Sequence, residues 1–491
     1  MIISVPGKFP KNMCDDDLIA NIIGSFGRYQ TWILVVVTLA HLPTDYFMNN
    51  VLFVLPHVDY VCKDDDAYNL TNYCPCQNPD YDRSAIVESA TSEWNLICER
   101  THLASLAQSA MQVGMLTGSL IYGHISDRYG RKAAVLLGLF CQPLFGTITA
   151  FVPEYWMFVM MRFLMGTAAG GVMLCVYVLL IEYSGKLFRP YMLGLHEVSY
   201  VLGYLLLSVF GYYLRKWRDF QLATAAPWLA VILLYWILPE SPRWLITVGR
   251  KKEAIELLTY VAKKNNRNTD NIDIIVHEIE QQSMCERTQR RGSYLDLFKT
   301  PKLRMYTTIN ALMWMCCAHA YFGVNQYIGR LQGNIYLNVL LSAVSHVPNL
   351  LVMVFFAVFV RRKINVFITF GVAAISLLAF IFIPTSWHIT SVAVAISGQL
   401  AMYATFALVY LYTTELFPTL IRNSAMGFSS VFARVGAFVA PFVVNIGVEW
   451  ISITIFSTVA FCGALLCCFL PETKNIVLLN SIQQTEQKAK K

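Results

Sequence analysis

The chain has 491 residues, 56% of them apolar or aromatic and 14% charged, which excludes a disordered polymer and an ordinary soluble domain. Of its 69 charged side chains, 46 fall in the windows 1–28, 57–102, 240–304 and 472–491, leaving 23 for the other 332 residues, room for about a dozen helices of ~20 residues that each cross ~30 Å of hydrocarbon. The net charge of +7 does not point to nucleic acid, because the bases sit between apolar runs, where they act as orientation signals.

In chain order the apolar runs predict spans at 29–55, 102–125, 133–152, 156–181, 190–214 and 220–239, then at 305–327, 334–360, 364–384, 388–413, 422–447 and 450–470. Asp15, Asp16 and Asp17 precede the first run, which lacks a small-residue cleavage site, so it reads as a retained span. The expected fold is an all-α membrane protein of twelve transmembrane helices. Its expected parts are a cytoplasmic N-terminus (1–28), a first six-helix half (29–239), a cytoplasmic linker with helices (240–304), a second half (305–471) and a cytoplasmic tail (472–491).

Orientation follows from the connections. Arg128, Arg131 and Lys132 after span 2, Lys186 and Arg189 after span 4, and 13 bases in 240–304 belong on the cytoplasmic side. The 57–102 segment has nine acids against three bases and one glycosylation sequon, Asn69-Leu70-Thr71, so it belongs outside. Cys62, Cys74, Cys76 and Cys98 form an even set in that segment, which reads as two disulfides with three pairings open. A metal site at Cys74-Pro75-Cys76 is the alternative, and it lacks a matched second pair. The basic turn Arg215-Lys216-Trp217-Arg218 breaks the charge bias, because it falls on the outer side.

A repeat runs at an offset of about 233 residues. Glu182 and Arg189 correspond to Glu415 and Arg422, and Gly194, Val198 and Gly203 to Gly427, Val431 and Gly436. Leu238-Pro239-Glu240-Ser241 returns as Leu470-Pro471-Glu472-Thr473. Two six-helix pseudo-repeats in the same orientation are the plan in which a central site alternates between the two sides of a membrane.

The turn after span 2 reads Gly123-His-Ile-Ser-Asp127-Arg128-Tyr-Gly130-Arg131-Lys132, and here the chain resembles the major facilitator superfamily. A carboxylate at a helix end can pair with an arginine or a neighbouring helix N-terminus and hold one conformation. The gating set is therefore Asp127, Arg128, Gly130, Arg131, Arg162, Glu182, Arg189, Glu415 and Arg422. The second-half counterpart, Val360-Arg-Arg-Lys-Ile-Asn365, lacks the acid and the glycine, so a latch is expected in the first half only.

Ser92-Glu93-Trp94-Asn95-Leu96-Ile97-Cys98, Arg162-Phe-Leu-Met-Gly166, Pro239-Glu240-Ser241-Pro242-Arg243-Trp244 and Thr414-Glu415-Leu416-Phe417-Pro418 resemble the organic cation, organic anion and carnitine transporter family within that superfamily. The resemblance implies a multi-pass plasma-membrane transporter of small organic ions, without cofactor, metal, nucleic-acid partner or obligate protein partner. Coupling to sodium or to protons stays open. No Gly-x-x-x-x-Gly-Lys-Ser/Thr phosphate loop occurs in the sequence.

Charges far from a helix end are candidates for function. Asp45, Arg162 and Arg434 are the three chosen. Arg434 lies twelve residues past Arg422, about 18 Å into the membrane at 1.5 Å per residue, and its first-half counterpart is Val201, so the scaffold does not require arginine there. Cation-selective relatives typically carry acids where this chain has Arg434 and His346, and the segment 333–342 with Arg361-Arg362 resembles the carnitine branch. The substrate class expected is a zwitterion or organic anion, with polyspecific cation transport as the alternative and a non-transporting receptor a distant one. Tyr177, Tyr321, Tyr403 and Tyr410 on spans 4, 7 and 10 complete the substrate set, because tyrosine faces attract quaternary ammonium.

Overall fold

The computed structural model describes residues 18–474 except 65–69, 186–187, 271, 289–293, 332, 385 and 419–420. Asn69 therefore lies outside the described residues. Twelve crossing elements occur among those described: α1 (Arg28–Asn49), α2 (Thr101–Tyr129), α3 (Arg131–Thr149), α4 (Tyr155–Tyr183), α5 (Val198–Tyr213), α6 (Trp217–Ala225), α7 (Pro301–Tyr327), α8 (Ile335–Phe359), α9 (Arg362–Ile381), α10 (His388–Leu416), α11 (Arg422–Val444) and α12 (Glu449–Cys468). Eight helices are long and apolar enough to span on those criteria alone; α2 and α7 have the length but bury polar side chains such as Gln108, Asn310 and Asn325.

Two spans are built in pieces. The helix Arg189–His196 gives way to α5 at Glu197, and α6 continues as a 3-10 segment, Ala226–Tyr235. Pro227 lies in the first turn of that segment, where its missing N–H cannot extend the α-helical ladder of α6.

The repeat expresses itself as packing. α5 lies on α1 and α11 lies on α7. A Cβ at Gly203 would come 3.2 Å from Leu42 O, and one at Gly436 would come 2.3 Å from Met315 O. The α2–α4 seam is closer still. A Cβ at Gly118 would meet Thr167 O at 1.9 Å and one at Gly166 would meet Met111 O at 2.2 Å, so only glycine lets these backbones approach.

The 57–102 segment covers one face of the bundle, here the loop face. Strands Tyr60–Cys62 and Pro79–Tyr81 pair antiparallel, and the disulfides join Cys62 to Cys76 and Cys74 to Cys98. Among the described residues one candidate metal group occurs, Cys62, Asp64 and Cys76, but its two sulfurs are bonded to each other. Trp94 packs on Phe158 and Trp217, and Arg218 donates to Glu93 Oε1 (2.5 Å) and to the carbonyls of Ala150 and Val152. The Arg218 charge of the basic turn is thus met by the acid-rich segment.

The opposite, linker face carries helices Pro242–Thr247, Lys251–Lys264 and Ile272–Thr288. They tie to the start of α1 through Asn265, which accepts from Tyr29 N (3.0 Å) and donates to Ile23 O (2.8 Å) and Gln30 Oε1 (2.7 Å).

Candidate functional site

The halves meet through α2 against α11 and α5 against α8. Ser105 and Ser109 of α2 donate to Pro441 O (3.1 Å) and Phe438 O (2.7 Å) of α11, and Asn445 donates to Ser105 Oγ (2.7 Å). Tyr204 donates to Asn325 Oδ1 (3.1 Å), and Asn325 to Asn49 Oδ1 (2.7 Å). Tyr336 donates to Ala85 O in the loop segment (2.7 Å). These contacts run from mid-bundle to the loop face and close that side, while Glu197 and Tyr410, nearer the linker face, are exposed.

At mid-bundle an aromatic wall forms. The Tyr200 and Tyr321 hydroxyls are 2.6 Å apart; Tyr403 stacks on Tyr200 at 5.7 Å and meets the ring of His346 at 4.9 Å. Of the tyrosines named from sequence, Tyr321 and Tyr403 fall here. Tyr177 and Tyr410 form a second group, with rings 6.5 Å apart and Trp314 at 5.2 Å from Tyr410.

Charged side chains border both groups. Glu197, at the start of α5, is exposed to the opening and accepts a hydrogen bond from Tyr403 (3.0 Å). Tyr177 lies within electrostatic reach of Glu197, and Tyr410 within reach of Arg434. Arg434 donates to Gln112 Oε1 (3.4 Å) and contacts Met115 Sδ (3.7 Å). Asp45 is buried and bound to His41 Nδ1 (3.0 Å), not to Arg434, so an Asp45–Arg434 ion pair is absent among the described residues.

Glu197, His41, His196 and Tyr200 are additions that sequence reasoning missed. Glu197 lies inside the apolar run at 190–214, and the rule that singled out Asp45 applies to it equally.

Arg162 is 2% exposed and donates to Asn50 Oδ1 (2.8 Å), toward the loop-face end of α4. Among the described residues it pairs with no carboxylate, and it stands well apart from the remaining gating residues at the linker face.

There Arg131 is the centre of the first cluster. It reaches Asp127 Oδ1 (2.6 Å) and Glu182 Oε1 (3.2 Å), while Glu240 accepts the amides of Arg131 (2.9 Å) and Lys132 (3.0 Å) at the start of α3. Arg128 stacks over Tyr129, outside this cluster. Gly130 adopts φ +112°, and a Cβ there would meet Glu240 Oε2 at 2.2 Å. Burial raises the Glu240 carboxyl above its ordinary value, opposed by the amides that donate to it.

The expectation of a latch in one half only is overturned. Arg362 reaches Glu415 Oε1 (3.1 Å), and Glu472 accepts the amides of Arg362 (2.9 Å) and Lys363 (3.2 Å). The acids come from α10 and from the end of α12, so the loss of an acid beside Arg362 in sequence did not remove the cluster. Arg422 is not part of it; its Nε and Nη2 have no partner among the described residues. Arg189 sits in the helix Arg189–His196, and its side chain is outside the described ones.

The family described as "Sugar (and other) transporter" matches residues 63–483. Solute carrier family 22 member 13 of Homo sapiens is 33% identical over 401 residues, 81% of this chain and 72% of the relative. The chain belongs to this family of the major facilitator superfamily. An organic cation transporter protein of Drosophila melanogaster is 33% identical over 424 residues, covering 85% of this transporter and 77% of the relative. The E. coli xylose transporter XylE in an inward open conformation superposes with a TM-score of 0.67 at 16% identity, over 94% of this chain and 100% of the other, a likeness of fold. The protein is thus a multi-pass transmembrane transporter of small organic ions.

Proposed function

We propose that the transporter carries small zwitterions by alternating access, with the substrate ammonium at Glu197 and the tyrosine wall and its carboxylate at Arg434. The observation that carries this reading is the disposition of charge: an exposed carboxylate from the first half and a guanidinium from the second, without an acid partner among the described residues, both border the mid-bundle tyrosines. Tyrosine faces suit the ammonium, and a planar guanidinium suits the carboxylate. The loop face is extracellular, the linker face and both termini are cytoplasmic, and the membrane is the plasma membrane; the acid-rich, disulfide-bonded 57–102 segment supports this orientation. The conformation is then open to the cytoplasm.

Simple organic cations are the second reading, favoured by the Arg434 side chain being engaged with Gln112 while Asp45 and Glu197 flank the wall. Uptake of labelled carnitine, tetraethylammonium and p-aminohippurate into vesicles without nucleotide separates the two. Carnitine uptake that exceeds both others supports the zwitterion; tetraethylammonium alone overturns it. Enzymatic deglycosylation at Asn69 tests the orientation in the same preparation.

A further inference from the structure

Behind Glu197 lies a group of ionisable side chains that substrate binding does not use. His41 and Asp45 are each 4% exposed and bonded through His41 Nδ1 and Asp45 Oδ2 at 3.0 Å. The His196 ring meets the His41 ring edge-on at 4.7 Å, and Ser199 Oγ lies 3.5 Å from His41 Nδ1. His41 Nε2 is buried and has no hydrogen-bond partner among the described residues. Two imidazoles and two carboxylates thus share one site, which holds more proton-binding positions than hydrogen bonds to fill them.

The surroundings confine charge to this group. α1 supplies His41 and Asp45, and Thr38, which bonds His196 Nδ1 at 3.2 Å. The α5 end supplies His196, Glu197 and Tyr200; α10 supplies Tyr403; α8 supplies His346, whose Nδ1 is 2.7 Å from Ser342 O. α3 presents neutral Gln142 to Thr44 (2.8 Å). On α4, Tyr177 faces Glu197, and Arg162 binds Asn50 nearer the loop face. The guanidinium of Arg434 borders the second tyrosine group, within electrostatic reach of Tyr410.

We propose that His41, Asp45, His196 and Glu197 form a proton-binding site, and that the transporter exchanges its substrate for a proton. Glu197 is exposed and takes its proton from the aqueous side, becoming a carboxylic acid, with the hydrogen-bonded His41–Asp45 pair buried behind it. A protonated Glu197 cannot pair with an ammonium, so proton and substrate compete for one carboxylate. Competition for a single carrier site yields exchange when the carrier turns only with Glu197 neutralised, by the proton or by the ammonium, so that each turn carries one or the other. The hydroxyl of Tyr403 donates across the two halves to Glu197, so neutralising the acid also weakens a contact between the moving bodies. This rests on the reading that the substrate ammonium lies at Glu197.

The test uses the full chain in phosphatidylcholine liposomes. Without substrate, infrared spectra are taken while pH falls from about 8 to about 4, which spans the ordinary imidazole and carboxyl ranges. A carboxylic-acid band that grows in wild type, disappears in Glu197→Gln and moves in Tyr403→Phe is expected. A spectrum unchanged by Glu197→Gln and by Asp45→Asn overturns the site. In the second arm, acid-loaded liposomes take up external labelled carnitine or tetraethylammonium. Uptake is expected to rise roughly tenfold for each unit of pH gradient at balance; His41→Gln should make uptake indifferent to the gradient, and Glu197→Gln should lose uptake of both compounds. Gradient-driven uptake of tetraethylammonium alone sinks the zwitterion reading and keeps the proton site; uptake of either compound that ignores the gradient in wild type overturns the exchange.

Discussion

Arg362 of α9 donates through Nε to Glu415 of α10 at 3.1 Å, in the relation that Arg131 of α3 holds to Glu182 of α4 at 3.2 Å. Both arginines begin a helix whose first amides are accepted by a distant glutamate, Glu472 or Glu240. The linker face therefore carries two equivalent anchors, one in each half. Losing one partly buried pair removes about 1–2 kcal/mol, a factor of roughly 5–30 in the ratio of conformations. Arg362→Ala should slow transport as much as Arg131→Ala does, while leaving substrate affinity in one fixed conformation near wild type. Rapid-mixing uptake together with equilibrium binding reads the two quantities; an Arg362→Ala protein with wild-type turnover would remove the second anchor from the gating set.

Arg434→Ala should lose roughly ten- to a hundredfold in affinity for carboxylate-bearing substrates, the range of a charge-assisted contact of about 1.5–3 kcal/mol. Lysine should restore part of it, lacking the planar fork, and Arg434→Asp should shift preference to simple cations. Because Asp45 is bound to His41 and not to Arg434, Asp45→Asn with Arg434→Gln should not recover transport. Recovery at wild-type affinity for a zwitterion would refute the assignment of Arg434.

Much of this was legible in the sequence, and the exceptions have physical causes. The offset that aligns Gly203 with Gly436 was readable as a repeat, and in the structure both glycines sit where backbones approach closely, α5 on α1 and α11 on α7. The second anchor was illegible because Arg362 finds its acids at Glu415 and Glu472, 53 and 110 residues away in the chain, and local motif spacing cannot register such partners. Glu197 was overlooked because a break between two helices brought it to the opening, whereas a continuous apolar run hides a lone acid near its start. The pairing of Arg218 with Glu93 likewise depends on a loop folding back over α6.

Gly130→Ala should destabilise the protein. Its backbone, at φ +112° and ψ 156°, lies where residues with a side chain cost of order 1–3 kcal/mol, and the added methyl meets Glu240 Oε2. Combining it with Glu240→Ala relieves the clash but not the backbone strain. Thermal unfolding in detergent should place the double variant between Gly130→Ala and wild type. A Gly130→Ala midpoint equal to wild type would contradict the backbone argument.

Burial holds the Glu240 carboxyl above its ordinary value even though the amides of Arg131, Lys132 and Ser241 donate to it. A carboxyl raised in the folded protein binds its proton more tightly there than in the unfolded chain. Its contribution is fully present below the ordinary carboxylate value and declines as pH rises through the folded one. Between about pH 4 and about pH 7, the wild-type melting temperature should fall relative to that of Glu240→Gln, which keeps an acceptor and does not titrate. Parallel curves for the two proteins would count against a raised Glu240.

The bonds that close the loop face join uncharged partners: serine hydroxyls to the carbonyls of Pro441 and Phe438, and tyrosine to asparagine. The clusters at the linker face join full charges. Among the described residues, then, the seal between the halves at the loop face offers dissolved salt no ion pair, and the Arg218–Glu93 pair there lies within the first half. With a screening length near 8 Å at physiological ionic strength, added electrolyte loosens the arginine clusters and passes the serine seal by. Ionic conditions on the linker side should therefore reach these clusters, each built within one half, and leave the serine contacts between the halves unchanged.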